Sequence, residues 1–279
     1  MSQSIYHRYL DVLKISKSKP SLVALTKIIK AHLMFVPFEN VSKLLLFDRE
    51  KNGRPITLPE FLDSIEFLDL GGTCYSSNPF LRDLLSFLGY KANLLGANMN
   101  QPNVHTCIRT GLNSHQYHID VGYAAPFKKP IPLDNIPYKI KHGNYTYLLK
   151  KIKNVNKYGI EVLSDGEKIH GYIINEVHRN FDFFSNTILD SFKPGNTFMS
   201  CIRITRFFED RSVELKNRTL TIYNGQECYS KTLRNIEEIE TAVKNDLMMP
   251  KCPIQKAIKI LEEVTQKSFF EDEDYPEEY

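Results

Sequence analysis

The stretch Val104-His105-Thr106-Cys107-Ile108-Arg109-Thr110-Gly111-Leu112-Asn113-Ser114-His115-Gln116-Tyr117-His118-Ile119-Asp120-Val121 reads as two strands around a Gly-Leu-Asn-Ser loop. Before it, apolar residues recur with a helical period; from it onward the period is that of strands. That switch sets the fold class as α+β in consecutive blocks. If the strands pair about a two- or four-residue loop, opposed residues sum to 225. Thr110 then faces His115, and His105 faces Asp120. Opposed residues share a face with Cβ atoms about 4.5–5.5 Å apart. There a carboxylate fixes the tautomer of an imidazole and supports its charged form. A three-residue loop would break the register. An ordinary cross-strand ion pair has the same look, and the hairpin alone does not choose between the two.

Toward the N-terminus the pattern is helical. Ile5, Tyr9, Val12 and Leu13 share one face, and Leu22, Leu25, Ile28, Ile29 and Leu33 another. Pro37 restricts Val36 to extended backbone and ends that run. Thr57-Leu58-Pro59-Glu60 has the form of a capping box before a third helix. Leu81, Leu84, Leu85 and Leu88 form a fourth stripe closed by Gly89. At its entry stands Leu70-Gly71-Gly72-Thr73-Cys74-Tyr75-Ser76-Ser77-Asn78. A cysteine at a helix start sees the positive end of the helix dipole, which favours thiolate, the nucleophilic form. A small buried residue in a Gly turn fits the segment equally well.

Beyond the hairpin, Tyr158–Leu163 and Lys168–Ile174 flank Asp165-Gly166, a strong hairpin signal, and Lys150–Lys157 reads as a polar loop. Further strands are expected at Ser200–Phe208 and Arg218–Tyr223, and helices at Ile236–Leu247 and Ile254–Val264.

The 279 residues are 42% apolar and 25% charged, ordinary for a globular protein. The last nine, Glu271 to Tyr279, hold six acids; the body then carries 36 bases against 27 acids, a balance of +9. That is no nucleic-acid footprint. The acidic run has no apolar period, and the expectation is a mobile, dispensable tail. The first residues carry Arg8, Asp11 and Lys14 and no apolar signal core, and no apolar run approaches the ~20 residues needed to span a bilayer. Five cysteines with no close C-x-x-C pair argue for a reducing compartment, so a cytoplasmic location is expected, with no membrane partner. His105, Cys107, His115 and His118 crowd together, but 115 and 118 point to opposite faces of a strand, so no metal is expected. His118 shares a parity with Asp120 and can help to position it; Cys107 reads as core.

Cys74, His105 and Asp120, in that order, are the parts of a thiol triad: nucleophile, proton carrier and orienting carboxylate. The parts indicate acyl chemistry without naming a substrate.

Over nearly its whole length the sequence resembles the arylamine N-acetyltransferases. Val36-Pro37-Phe38-Glu39-Asn40 resembles that family's I-P-F-E-N segment, and Gly71-Gly72-Thr73-Cys74 its R-G-G-x-C turn, with Asn78 at the Asn that follows. His105 falls at the triad histidine, and Ile119-Asp120-Val121-Gly122-Tyr123 resembles V-D-V-G-F. Pro132-Leu133 and Lys216-Asn217-Arg218-Thr219-Leu220-Thr221 match later segments. The resemblance implies an N-terminal helical bundle over 1–90 carrying Cys74, an antiparallel β-barrel over 91–195 carrying His105 and Asp120, and a C-terminal α/β lid over 196–279. The core would be of cysteine-protease type. It implies acetyl-CoA as acyl donor and a small amine as acceptor, with Phe38, Val104 and Tyr123 lining the acceptor pocket.

Four positions depart from the family pattern. Leu70 replaces the usual Arg, Ser76 the usual Glu, and Ala124 a common Gly. Pro79 removes a backbone donor inside an early helical turn, so the helix is expected to start late or be distorted. These departures leave open a degenerate relative that binds a ligand without turnover, and the bare triad leaves open a thiol amidase or transglutaminase-like enzyme.

Overall fold

A computed structural model describes residues 3–153 and 157–271. The chain begins with helices α1 (Gln3–Val12), α2 (Leu22–Phe35), α3 (Val41–Glu50), α4 (Leu58–Leu68) and α5 (Cys74–Phe87), with a short strand β1 (Phe38–Glu39) between α2 and α3. Side chains close the helix starts. Ser21 Oγ accepts from the Ala24 amide, and the Thr57–Glu60 capping box has both of its bonds. Helix α5 starts at Cys74 and runs through Pro79, contrary to the late start expected. Pro79 forfeits only the bond to the Tyr75 carbonyl. The buried Phe80, Leu81, Leu84 and Leu85 hold the helix beyond it.

Strands β2 (Lys91–Asn98), β3 (His105–Leu112), β4 (His115–Ile119), β5 (Ile131–Pro132), β6 (Tyr138–His142), β7 (Tyr145–Ile152), β8 (Lys157–Ser164) and β9 (Glu167–His178) form one antiparallel sheet. Its order is β5-β4-β3-β2-β9-β8-β7-β6, curled into a nearly closed barrel with β5 and β6 at its edges. Asp165 and Gly166, both at positive φ, make the expected tight turn between β8 and β9. Of the segment 150–157, residues 154–156 lie outside the described residues, and most of the rest is strand, not loop. Strand β7 runs to Ile152 and β8 starts at Lys157, paired residue for residue.

The key hairpin differs from expectation in register. Its turn is Asn113-Ser114, at φ of 50° and 66°, and Leu112 pairs with His115. Opposed residues sum to 227 rather than 225. Asn tolerates the left-handed region, so Gly111 and Leu112 stay in the strand instead of the loop. A shift of two residues in the sum moves each partner by two positions. Face parity therefore survives, and His105 and Asp120 still share a face, diagonally rather than directly opposed.

Helix α6 (Ser185–Asp190) leads into β10 (Arg203–Phe207), β11 (Ser212–Lys216), β12 (Thr219–Asn224) and β13 (Glu227–Thr232), then α7 (Ile236–Asn245) and α8 (Ile254–Thr265). The second sheet has the order β1-β10-β11-β12-β13, so a strand from the helical part completes the lid sheet. Three apolar cores result: one among α1, α2, α4 and α5, one inside the barrel, and one between the lid, α3 and Leu70. The fold is α+β, and no helix among the described residues is long and apolar enough to cross a membrane. The acidic run from residue 272 lies outside the described residues.

Candidate active site

The turn that leads into Cys74, the candidate nucleophile, is built on Glu39. This carboxylate is fully buried, and its Oε1 accepts from the Gly72 amide while its Oε2 accepts from the Ser42 amide at 2.8 Å. Burial raises its pKa; the bonds from Ser42 and Gly72 pull the other way. Asn40 ties the turn to the lid. Its Nδ2 donates to the Phe198 and Cys201 carbonyls, and its Oδ1 accepts from the Arg203 amide. The chain then passes Gly72 at φ +78° and enters α5 at Cys74, the first helical residue. Thr106 Oγ1 donates to the Cys74 carbonyl at 2.7 Å, and Tyr75 Oη donates to the Val104 carbonyl at 2.8 Å. Two bonds from side chain to backbone thus fix the helix start against the beginning of β3.

Cys74, His105 and Asp120 are brought together. All three are buried. His105 Nε2 donates to Asp120 Oδ2 at 2.7 Å, which leaves Nδ1 for the thiol, and His105 and Cys74 share a side-chain hydrogen bond. Burial alone would lower the His105 pKa. The facing charges of Asp120 and Cys74 outweigh it and raise the value to about 10. Asp120 is held below the ordinary carboxylate range. Burial acts upward, and the charge and hydrogen bond of His105 with the Asn78 amide act downward more strongly.

Four donors converge on Asp120. Asn78 Nδ2 (2.9 Å) and the Gly122 amide (3.0 Å) reach Oδ1, and His105 and Tyr172 Oη (2.7 Å) reach Oδ2. Asn78 also donates to the Thr106 carbonyl and accepts from the Val121 amide, so one side chain of α5 ties β3 to the residue that follows the carboxylate. His118 acts on Asp120 through Tyr172. Its Nε2 donates to Tyr172 Oη at 2.8 Å, and burial holds its pKa down at about 4, which keeps it neutral. Tyr172, on β9, is absent from the sequence reading because only the sheet order brings that strand beside β2 and the hairpin.

Gly122 is set by space. A Cβ there would stand 2.5 Å from Cys74 Cα and 2.8 Å from Asn78 Nδ2. The next departure, Ala124, sits at φ +56°, a region that favours glycine.

Of the expected pocket residues, Tyr123 meets His105 edge-on, the ring centroids 5.4 Å apart, with its hydroxyl on His170 Nδ1. Val104 directly precedes His105 and is anchored by Tyr75. Phe38 is buried on β1 and packs edge-on against Phe198 of the lid at 5.6 Å. The four residues weighed for a metal do not converge. His115 is exposed and pairs with Asp134, while His118 turns to Tyr172.

The arrangement can form a thiolate–imidazolium pair, accept an acyl group on sulfur and pass it on. A family model described as N-acetyltransferase matches residues 21–250. The chain belongs to the arylamine N-acetyltransferase family. It is 28% identical over 156 residues to the arylamine N-acetyltransferase pineal gland isozyme NAT-3 of Gallus gallus, covering 50% of this chain and 52% of that protein. The chain thus spans about half the length of the curated relatives it matches. An arylamine N-acetyltransferase of Mycobacterium marinum, solved in complex with CoA, superposes with a TM-score of 0.78 at 17% identity over 93% of this chain and 99% of that one. One from Bacillus cereus, with a Cys-His-Glu catalytic triad, gives 0.70 at 21% identity, covering 88% and 98%. These likenesses establish the arylamine N-acetyltransferase fold for the chain.

Proposed function

We propose that this protein transfers an acetyl group from acetyl-CoA to a small aromatic amine or hydrazine through a thioester on Cys74. The observation that carries the reading is the hydrogen-bonded line from Cys74 through His105 to Asp120 at the start of α5. The Cys74 thiolate attacks the acetyl carbonyl. As the tetrahedral intermediate collapses, the C–S bond to CoA breaks, and CoA leaves as the thiol with the proton that His105 supplies. The amine then attacks the acetyl-cysteine, His105 takes the proton from its nitrogen, and Cys74 leaves. Asp120 keeps His105 in one tautomer and supports the imidazolium in both halves. A covalent intermediate split this way gives ping-pong kinetics.

Phe38, Val104 and Tyr123 are assigned to the acceptor pocket, Tyr123 by its place against His105. All five cysteines are free, which agrees with a reducing, cytoplasmic setting. The division into a helical block (1–90), a barrel block (91–195) and a lid (196–279) is part of the same proposal. The test is a steady-state assay crossing arylamines and hydrazides with acyl-CoA and peptide-amide donors. Parallel double-reciprocal lines with acetyl-CoA support the reading. Turnover of peptide donors in preference to acyl-CoA overturns it.

A further inference from the structure

A cavity of about 380 Å³ abuts the nucleophile turn without being lined by Cys74, His105 or Asp120. Gly72, Thr73, Tyr75 and Ser76 form its inner wall. Most of the remainder is apolar, from Leu45, Leu46, Phe67, Leu70, Ile188 and Phe192. At the surface, Phe67 is 67% and Leu68 37% exposed. The volume lies in the range of small-molecule sites.

One charge in this cavity has no counterpart. Lys43, buried on α3, donates to Ser191 Oγ at 2.6 Å and lies 3.6 Å over the Phe192 ring. No carboxylate pairs with it among the described residues. The other cations are matched: Arg54 is bonded by both Glu50 and Glu60, and Arg49 by Glu50. The lining acids are also taken, Glu60 by Arg54 and Asp63 by Arg8. Burial lowers the Lys43 pKa to about 7, against an upward pull from Cys74. A hydroxyl and a ring face do not replace the water that a buried ammonium loses. Thr73, which also lines the cavity, makes no side-chain capping bond to α5. A monoanion with an apolar body matches both the lone charge and the walls.

We propose that this cavity binds a small carboxylate with an apolar body, such as a medium-chain alkanoate, its head on Lys43 and its chain along Leu46, Leu70 and Phe192 toward Phe67. The occupant would touch Thr73 and Tyr75, the two neighbours of the candidate nucleophile, without entering the triad.

Octanoate and octanol are titrated calorimetrically into the full chain with no acyl donor present, so the outcome is independent of turnover. Octanoate binds the wild type, and Lys43→Arg retains binding. Lys43→Met and Lys43→Gln weaken octanoate at least tenfold and leave octanol within twofold, which shows that the cavity still folds. Protein alkylated at Cys74 binds octanoate as before. The proposal is overturned if octanoate fails to bind at millimolar concentration, if both neutral variants bind it like the wild type, or if alkylation of Cys74 abolishes binding.

Discussion

His105 Nε2 and Asp120 Oδ2 stand 2.7 Å apart although the hairpin sets neither residue opposite the other. Continued past its last paired residues, the register puts position 122 opposite His105, and position 122 is glycine. The space that a side chain would fill there is taken by the backbone of Cys74. The diagonal offset thus admits the α5 start beside the imidazole while the carboxylate reaches the far ring nitrogen.

Asp120→Asn tests the orienting role. Four donors meet this carboxylate, and an amide turns an NH₂ toward two of them. Transfer activity is expected to fall on the order of 10⁴-fold, as when the orienting acid of a triad is neutralised. Stability should drop by about 1–3 kcal/mol for the mismatched bonds, with the fold retained. Kinetics and thermal melts check both; a near-normal rate would make Asp120 an ordinary partner.

Tyr172→Phe tests the relay from β9. It removes one bond to Asp120 and leaves the buried His118 Nε2 without its acceptor. A hydrogen bond to a charged group contributes about 1.5–3 kcal/mol. Accordingly kcat should fall roughly tenfold or more, with little change in KM for the amine. An equal change in both would place Tyr172 in substrate binding instead.

That Cys74, His105 and Asp120 converge is legible in the sequence, but the bonds from His118 through Tyr172 are not. A cysteine behind two glycines, a capping box at Thr57–Glu60 and a turn at Asp165-Gly166 are local signals, and local signals suffice for them. Face parity places His105 with Asp120 although the turn falls at Asn113-Ser114, because a two-residue shift does not change sides. Tyr172 depends on β9 pairing with β2 across a bulge near Leu95, a contact between residues far apart in sequence. Strand β2, helix α3 and the β6–β7 hairpin are likewise not legible in the sequence pattern. Their side chains are mixed polar and apolar, and burial against neighbours, not propensity, decides their form. In the sequence Glu39 is only one residue of a motif; its hold on the Gly72 amide appears in three dimensions.

The charge on His105 gives a pH test. Its pKa is raised from 6.5 to about 10, so its pairing stabilises the folded state in full below 6.5 and the gain is lost as pH rises through about 10. Imidazole NMR should show His105 still cationic near about pH 8, and Asp120→Asn should move its titration downward. A neutral His105 at about pH 7 in the wild type contradicts the ion-pair account.

Leu70 and Ser76, two of the departures near Cys74, line the same cavity, with Ser76 Oγ near the Gly71 and Thr73 carbonyls. Leu70→Arg alone adds a cation beside the unmatched Lys43 and should cost about 3–5 kcal/mol. Ser76→Glu in addition should recover part of this, with a coupling of about 0.5–3 kcal/mol in a double-mutant cycle by chemical denaturation. Strict additivity would mean that the positions do not communicate.

If Cys74 carries the acyl group, acetyl-CoA alone should modify it. The protein is incubated with acetyl-CoA and no acceptor, quenched and weighed intact by mass spectrometry, with Cys74→Ser alongside. The account predicts one acetyl group on the wild type, mapped to Cys74 and released by an arylamine, and none on the variant. An unmodified wild type, or an adduct that persists in Cys74→Ser, would contradict it.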